Sequence, residues 1–387
     1  MGDIMTVKLY DNDSYATEFD AVVLNCEKSD NLYKTELDRT LFFPEEGGQC
    51  ADRGTIDGID ICHVELCGNT VYHYSLTPFE VGKTVHGKID FDVRFRNMQN
   101  HSGEHIICGI AHELFGYENV GFHLGADYVT MDLSGPLSDE DIEKIEYLAN
   151  KAVIRNMPVS TRYLTEDEVK NETYRAKGDI KENVRLVVIG DVDRCACCAP
   201  HVKYTGEIGM IKILDAINYK GGMRLNILCG FDALCDYNKR YKSSKEISAM
   251  ISVKQEDIAD GVRKLTEDMT NLKIKLSERT KQIIKSKIDS QEYTDKNICL
   301  FANDLDAGYL RLAANDLKEK TSSFAVVLTG NDDTGYRYII ISKDKDISDI
   351  TAKANSSLNG RGGGKGNMSS GTFSASTREI EKFFAEN

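Results

Sequence analysis

Long hydrophobic runs are absent from this sequence of 387 residues. None approaches the ~20 apolar residues of a membrane-spanning helix, and the first residues do not form a basic and then apolar signal segment. Eleven cysteines without a secretory signal indicate reduced thiols and a metal ligand rather than a disulfide framework. The sequence therefore predicts a cytoplasmic protein that makes no use of a membrane.

Basic residues are also in deficit. The chain has 48 lysines and arginines against 62 aspartates and glutamates, a net charge of −14, whereas nucleic-acid-binding proteins usually carry a basic surface. Charge can still segregate, and the acid surplus lies partly in runs such as 138–143. A set of cations near the motifs described below can supply a local basic surface: Arg94, Arg96, Arg155, Arg162, Lys203, Lys212, Lys220, Arg224, Arg361 and Lys365.

Histidine is scarce, with eight in the chain, yet four nitrogen and sulfur ligands form two close pairs. His101 and His105 are four residues apart, so on a helix they share one face and can reach one ion. Cys197 and His201 follow the apolar strand 186–189 in a turn-like segment that can aim a thiolate and an imidazole at one point. Three nitrogens and one sulfur are a tetrahedral zinc set.

The choice of cysteine is open on spacing alone. Cys195, Cys197 and Cys198 are all close to His201, and Cys195 with Cys198 forms a C-x-x-C pair that is typical of a redox couple. The pair His101–His105 and the pair Cys197–His201, each taken alone, are more often surface or core features than metal sites. The two pairs together favour zinc.

Four blocks of the sequence resemble the editing domain of alanyl-tRNA synthetases and its free-standing relatives, the AlaX alanyl-tRNA editing proteins. They occur in family order over nearly the whole chain and are Phe42-Phe-Pro-Glu-Glu-Gly-Gly-Gln-Cys-Ala-Asp-Arg-Gly54, His101-Ser-Gly-Glu-His105, Cys197-Cys-Ala-Pro-His201 with Thr205-Gly-Glu-Ile-Gly209, and the DHHA1-like Asn359-Gly-Arg-Gly-Gly-Gly-Lys-Gly-Asn-Met368. Because no aminoacylation module precedes the barrel-like segment, the chain resembles a long-form AlaX protein rather than a synthetase.

The resemblance implies an aminoacyl-tRNA hydrolase that removes serine, and as a second substrate glycine, from mischarged alanine tRNA. It selects Cys197 as the fourth zinc ligand beside His101, His105 and His201. Gly48 is expected to form a backbone turn and Gln49 a polar contact to backbone or tRNA. A polar group that recognises the serine hydroxyl is expected on the strand pair that precedes and contains 127–133, with two candidates there: His123 and Thr130.

Two other functions fit part of the pattern. His101-x-x-Glu104-His105 matches the H-x-x-E-H motif of metallopeptidases, in which the glutamate is general base, but that hypothesis leaves Cys197 and His201 unexplained. A zinc-stabilised tRNA-binding module without catalysis would use the four ligands structurally, as complete four-ligand sets usually are.

The predicted fold class is α+β, in four segments. Residues 1–91 alternate in short strands and predict a small β-barrel, and 92–236 predict the α+β editing core with the zinc site. Residues 237–292 predict a helical or coiled-coil linker, because apolar residues recur at alternating intervals of four and three. Residues 293–387 predict an α/β DHHA1-like domain. The seam of the linker consists of Ile258, Val262, Leu265, Met269, Leu272 and Leu276.

The last two segments are expected to bind tRNA or to join subunits. The linker seam or the C-terminal domain would hold a homodimer. The glycine-rich segment is either a flexible loop or a contact to RNA phosphates, since bare backbone amides approach anions closely. The proposed contacts there are Arg361, Gly362, Gly363, Gly364 and Lys365.

Overall fold

The computed structural model describes residues 5–125, 128–176, 183–302 and 305–387. These residues form two compact units, Met1–Glu246 and Ile247–Asn387. Helices and strands alternate throughout, which confirms the predicted α+β class. The finer division into four segments stays a prediction. No helix among the described residues is long and apolar enough to cross a membrane.

The first unit is rich in short strands. Its helices are α1 (Phe91–Phe115), α2 (Asp139–Ile154), α3 (Glu166–Asn171) and α4 (Gly230–Ile251), of which α4 continues into the second unit. Its strands are β1 (Val7–Lys8), β2 (Glu18–Ser29), β3 (Leu32–Leu37), β4 (Arg39–Thr40), β5 (Gly54–Ile56), β6 (Ile59–Cys67), β7 (Thr70–Ser75), β8 (Thr84–Ile89), β9 (Asn119–Leu124), β10 (Val129–Leu133), β11 (Val159–Tyr163), β12 (Arg185–Ile189), β13 (Asp193–Ala196), β14 (Ile211–Tyr219) and β15 (Gly222–Cys229).

The N-terminal strands close into a barrel in the order β2-β3-β7-β6-β5-β8. Alternate residues of β2 are buried at Phe19, Ala21 and Val23, as a half-buried strand of period two requires. Their side chains pack with those of the opposite strands to fill the barrel, which therefore has a core of its own. The loop between β4 and β5 contains Gly48 and Gln49.

The central element of the first unit is α1, which is buried over most of its length. The Asp90 carboxylate accepts a hydrogen bond from the Val93 N–H and caps the first turn, and Gly116 ends the helix in the left-handed conformation. The helix begins at Phe91. It packs against α2, β9, β13 and β15, so polar residues on its buried faces must find partners within the protein.

Two sheets flank this helix. One has the order β14-β15-β10-β9, and the other has the order β11-β12-β13. At the contact with β13 the helix has a glycine: a Cβ on Gly109 would lie 2.4 Å from the Val192 carbonyl oxygen and 2.9 Å from the Asp193 Cβ. Gly109 thus permits the close approach that brings Asp193 to α1. The predicted strand 127–133 is observed as β10 from Val129, and Asp127 lies outside the described residues.

The second unit has a five-stranded sheet covered by helices. Its sheet order is β16-β17-β18-β20-β19, with β16 and β17 parallel. Its helices are α5 (Ile258–Asp289), α6 (Ala307–Leu317), α7 (Ser348–Ser357) and α8 (Thr377–Glu386). Its strands are β16 (Ile298–Phe301), β17 (Phe324–Asn331), β18 (Gly335–Ser342), β19 (Arg361–Lys365) and β20 (Met368–Phe373).

Candidate metal centre and cavity

Four predicted ligands converge in the first unit. One ligand atom from each of His101, His105, Cys197 and His201 lies within 4.8 Å of the others. The three imidazole centroids are 4.8 to 5.3 Å apart, and the Cys197 Sγ is 3.5 Å from the His101 Nε2. The buried helix α1 supplies two ligands, and the segment after β13 supplies the other two.

Each imidazole is oriented through its other ring nitrogen. The Nδ1 of His101 is 2.7 Å from the Gln49 Oε1, and the Nδ1 of His105 is 2.8 Å from the Asp193 Oδ2. The Nδ1 of His201 is 3.0 Å from the Ser102 Oγ. With their protons on Nδ1, all three rings present an Nε2 lone pair to the centre, which is the usual arrangement of metal-binding histidines.

The centre has the chemistry of a zinc site. The His201 Nε2 is buried and has no hydrogen-bond partner, a costly condition that a metal ion would relieve. Burial lowers the pKa of His201 to about 3, so its ring is neutral at physiological pH. Burial alone would disfavour the Cys197 thiolate, but the facing imidazoles, led by His101, hold the pKa of that thiol well below its ordinary value. Imidazole nitrogens and a cysteine thiolate are ligands that zinc binds.

The three neighbouring cysteines have different surroundings. Cys197 belongs to the four-ligand cluster, while Cys195 forms a separate grouping with His105 and Asp193. Burial raises the pKa of the Cys198 thiol well above its ordinary range, and the charge of the neighbouring Cys197 thiolate raises it further. Neither Cys195 nor Cys198 is in a disulfide.

The Asp193 carboxylate, which contacts His105, also accepts hydrogen bonds from another residue. Burial disfavours the charged ring of His105, but the hydrogen bond that the ring donates to the Asp193 carboxylate raises the pKa of His105 well above its ordinary value. Asp193 also accepts two hydrogen bonds from Arg175, at 2.8 and 2.9 Å. The motif analysis did not identify Asp193, Arg175 or Ser102. Each contacts a residue that is distant from it in the chain: Asp193 contacts His105, Arg175 contacts Asp193, and Ser102 contacts His201.

The glycine-rich loop after β4 fits closely against β9. Gly48 has φ +87°, and a Cβ there would lie 2.4 Å from the Phe122 carbonyl oxygen. The Gly48 carbonyl accepts a hydrogen bond of 2.8 Å from the Leu124 N–H. The Phe122 ring in turn lies 4.7 Å from the His101 ring, centroid to centroid. Gly48 thus contacts the strand that contains Phe122, and Gln49 contacts the His101 ring directly. Both residues help to position that ring.

The two predicted serine-recognition residues lie on another face. His123 and Thr130 are directly opposite each other on β9 and β10. Since Phe122 faces His101, its neighbour His123 points to the opposite side of the sheet. His123 is exposed, and the Thr130 hydroxyl is 3.4 Å from the Asn226 Oδ1. The structure does not bring this pair to the metal centre.

A cavity of about 850 Å³ opens beside the four-ligand cluster. Its wall includes His101, His105, Cys197, Phe122 and Glu104. This volume lies within the range of roughly 300–1,000 Å³ that small-molecule sites occupy. Beside His101 and His105 the cluster contains Cys197 and His201, whereas the H-x-x-E-H metallopeptidase hypothesis requires a glutamate from elsewhere in the chain as the third ligand and uses the motif glutamate as general base.

Most cations of the predicted basic surface are already paired with carboxylates. Arg94 is fully buried in an ion pair with Asp52. On β19, by contrast, Arg361 and Lys365 are exposed and join no ion pair within the described part of the chain. The remaining pairs are Arg96–Asp232, Arg155–Asp191, Arg162 with Glu168 and Glu172, Lys203–Asp13, Lys212–Glu146 and Arg224–Asp132, whereas Lys220 lies over the Tyr219 ring.

Two regions of the chain match known domain families. Residues 184–265 match the family described as "Threonyl and Alanyl tRNA synthetase second additional domain", and residues 294–386 match the DHHA1 domain. The first match includes Cys197 and His201, and the second includes the whole of β19.

Other proteins are similar to nearly the whole of this chain. The chain is 26% identical to the alanyl-tRNA editing protein AlaX-L of Pyrococcus horikoshii, covering 97% of this chain and 96% of that protein. It is 28% identical to the alanyl-tRNA editing protein Aarsd1 of Rattus norvegicus, covering 96% and 95%. An alanine–tRNA ligase of Ignicoccus hospitalis is 26% identical over 97% of this chain but only 42% of the ligase. The chain is therefore similar over nearly its whole length to proteins named as alanyl-tRNA editing proteins.

Proposed function

We propose that this protein is a trans-editing deacylase that hydrolyses seryl-tRNA(Ala), with glycyl-tRNA(Ala) as a second substrate. The observation that carries the proposal is the cluster of three histidines and one cysteine in the wall of an 850 Å³ cavity. The full-length relatives that bear the name alanyl-tRNA editing protein support it. A cytoplasmic location is part of the proposal, and the eleven unpaired cysteines are in keeping with it.

The reaction requires little chemical activation. Water forms a bond to the ester carbonyl carbon, the bond to the ribose oxygen breaks, and that oxygen takes up a proton. Because an aminoacyl ester is already activated, positioning contributes most of the acceleration. Gln49, Asp193 and Ser102 fix the three imidazoles, and Phe122 closes the centre on the side of His101. A bound zinc ion would supply positive charge for the substrate's polar groups.

The cavity wall favours a polar amino acid. Glu104, Asn119 and Arg175 all line it, so the hydroxyl of a seryl ester can find hydrogen-bond partners. The methyl group of alanine offers none, and a site built around hydrogen bonds disfavours the analogue that lacks them. Release of serine with retention of correctly charged alanine is the expected outcome.

Seryl-tRNA(Ala) is expected to be hydrolysed at least about a hundredfold faster than alanyl-tRNA(Ala), because only the seryl group completes the hydrogen bonds of the cavity. The measurement is the first-order loss of each labelled ester with zinc-loaded protein. Serine esterified to a tRNA of another acceptor sequence controls for recognition of the tRNA. Equal rates on the serine and alanine esters would reject editing, and tRNA binding without any hydrolysis would favour the non-catalytic zinc module.

We further propose that β19 contacts the tRNA backbone. Its five residues are all exposed, and Arg361, Gly363 and Lys365 share one face of the strand. A Cβ on Gly363 would meet no atom within 4 Å, so nothing obstructs this face. The two cations are about 13 Å apart at the strand rise of ~3.3 Å per residue, and each can reach a separate phosphate.

Replacing Arg361 and Lys365 together by alanine is expected to weaken tRNA binding and to reduce the salt dependence of log K by up to about two units, one for each lost phosphate contact. Filter binding over a series of salt concentrations measures this slope. Arg155→Ala removes a cation that is paired with Asp191 and is the matched control. An unchanged slope in the double variant would assign tRNA contact to another surface.

A homodimer through α5 is the third proposal. The seam residues Val262, Leu265, Met269, Leu272 and Leu276 are 45 to 68% exposed within one chain. Their alternation of intervals of four and three matches the pairing of one helix with an identical helix. A second copy of this chain is therefore the occupant that the seam fits.

The double substitution Leu265→Glu and Leu272→Glu is expected to convert a dimer into a monomer, because four like charges would lie in the seam of the pair. Light scattering after gel filtration reports the mass. Asn271→Glu adds a charge outside the seam and should leave the dimer intact. A monomeric parent protein, or a dimer that persists in the double variant, would contradict the proposal.

A further inference from the structure

Glu104 is a buried carboxylate that the metal cluster does not use. It lies on α1 between His101 and His105 and is 3% exposed. Its side chain lines the same cavity as the two histidines and Cys197. The H-x-x-E-H pattern drew attention to this residue, but the four-ligand cluster excludes it. Its place in the cavity wall therefore needs another explanation.

Neutral donors fix the carboxylate on one side. The Oε1 of Glu104 accepts hydrogen bonds from the Asn119 Nδ2 at 2.5 Å and from the Cys108 Sγ at 2.9 Å. The Asn119 Oδ1 accepts from the Gly121 N–H at 2.9 Å, which sets the orientation of the amide. Both bonds go to Oε1, so Oε2 is the oxygen that remains for a ligand in the cavity.

No cation neutralises this carboxylate within the described part of the chain. The guanidinium of Arg175 lines the same cavity, but its hydrogen bonds go to Asp193. Burying an ionised carboxylate without a countercharge is unfavourable. The position therefore suits a site that binds a cation during function.

We propose that Glu104 accepts the α-ammonium group of the aminoacyl ester through Oε2, an inference that rests on the proposed function. The ammonium is the only cation in an aminoacyl ester, and a charge-assisted hydrogen bond to it would order the reacting end of the substrate. The site is thereby selective for esters with a free amino group. An N-acylated aminoacyl-tRNA, and hence a peptidyl-tRNA, lacks that charge and is a poor substrate.

A role as general base on metal-bound water fits the geometry less well. Four protein ligands complete a tetrahedral set and leave no open position for such a water. The hydrogen bonds from Asn119 and Cys108 hold the carboxylate as a fixed acceptor, which suits a binding role. The two roles differ in their dependence on the substrate's amino group, and this difference makes them separable by experiment.

The test compares Glu104→Gln with the parent protein on seryl-tRNA(Ala) and N-acetylseryl-tRNA(Ala). The substitution is expected to lower kcat/KM on the free-amine ester by about 10- to 100-fold, the effect of one charged hydrogen bond. The slow reaction of the N-acetyl ester should change by less than about threefold. Glu104→Asp keeps the charge and should recover part of the loss. Glu113→Gln makes the same change at an exposed position of α1 outside the cavity and is the matched control.

A binding measurement gives an independent readout. The non-hydrolysable analogue 3′-deoxy-3′-(L-seryl)aminoadenosine and its N-acetyl form are titrated calorimetrically into zinc-loaded protein, with the zinc content checked for every variant. Glu104→Gln should weaken binding of the free-amine analogue alone. If the parent protein binds this analogue through Glu104 but hydrolyses no aminoacyl-tRNA, the proposed function is wrong and the ammonium site stands. Equal losses with both esters and both analogues, or no preference of the parent protein for the free amine, would overturn the inference.

Discussion

Replacement of both His101 and His105 by alanine is expected to remove bound zinc, from about one equivalent per chain to almost none, and with it the deacylase activity. A tetrahedral set that loses two of four ligands cannot retain the ion at physiological concentrations. Elemental analysis after dialysis against a chelator measures the content. Full zinc retention in the double variant would show that the ion is bound elsewhere.

The cysteines provide the control for this experiment. Cys197→Ser should lose zinc, whereas Cys195→Ser and Cys198→Ser should keep it, because only Cys197 belongs to the four-ligand cluster. Loss of zinc from the Cys195 variant with retention in the Cys197 variant would favour the alternative grouping of Cys195 with His105 and Asp193.

Arg94→Met is expected to lower the free energy of unfolding by about 3–5 kcal/mol, because it leaves the Asp52 carboxylate buried without its countercharge. Both side chains are fully buried. The guanidinium also donates to the Leu41 carbonyl at 2.6 Å and to the Ser14 carbonyl at 3.1 Å. Urea unfolding monitored by circular dichroism measures the change.

The matched control is Arg155→Met, which breaks an exposed pair with Asp191 and should cost no more than about 1 kcal/mol. Adding Asp52→Asn to Arg94→Met removes the unpaired charge and should recover part of the stability. If the Arg94 variant were as stable as the control, the buried pair would contribute nothing to the folding of the first unit.

The sequence was most informative where chemistry fixes the spacing. Two histidines at i and i+4 on a helix must share a face, and in the structure both lie beside Cys197 and His201. Gln49 was expected to contact backbone or tRNA, and its Oε1 lies beside the His101 Nδ1. Asp193 and Ser102 were not foreseen, because residues that orient a ligand through space need no fixed separation from it in the chain.

The position of a side chain on one or the other face of a strand was harder to predict. The strands that contain His123 and Thr130 were expected, but their orientation depends on how Phe122 packs against His101. A shift of one residue in that packing would turn His123 inward. The burial of Arg94 was equally hard to predict. An arginine is expected at the surface unless a buried partner is known, and here that partner is Asp52.

The glycine-rich segment 361–365 forms a strand. A flexible loop had been one of the two structures predicted for it. Its residues pair with β20 from Arg361 opposite Thr372 to Lys365 opposite Met368. Glycine weakens a strand because it loses more conformational entropy on folding. Here the glycines also permit close contact, since a Cβ on Gly362 would lie 2.6 Å from the Tyr338 hydroxyl.

Ligands that are far apart in sequence make the metal centre a cross-link of the first unit. His101 and His201 are separated by about a hundred residues, and an ion held by both would close that length of chain into a loop. Such a closure removes freedom from the unfolded chain, as a disulfide does. Zinc supply would then govern the lifetime of the protein in the cell as well as its activity, because the metal-free chain would open more often to proteases. The last ligand, His201, also makes loading a late event in synthesis: a nascent chain cannot hold the ion securely before that residue has emerged from the ribosome.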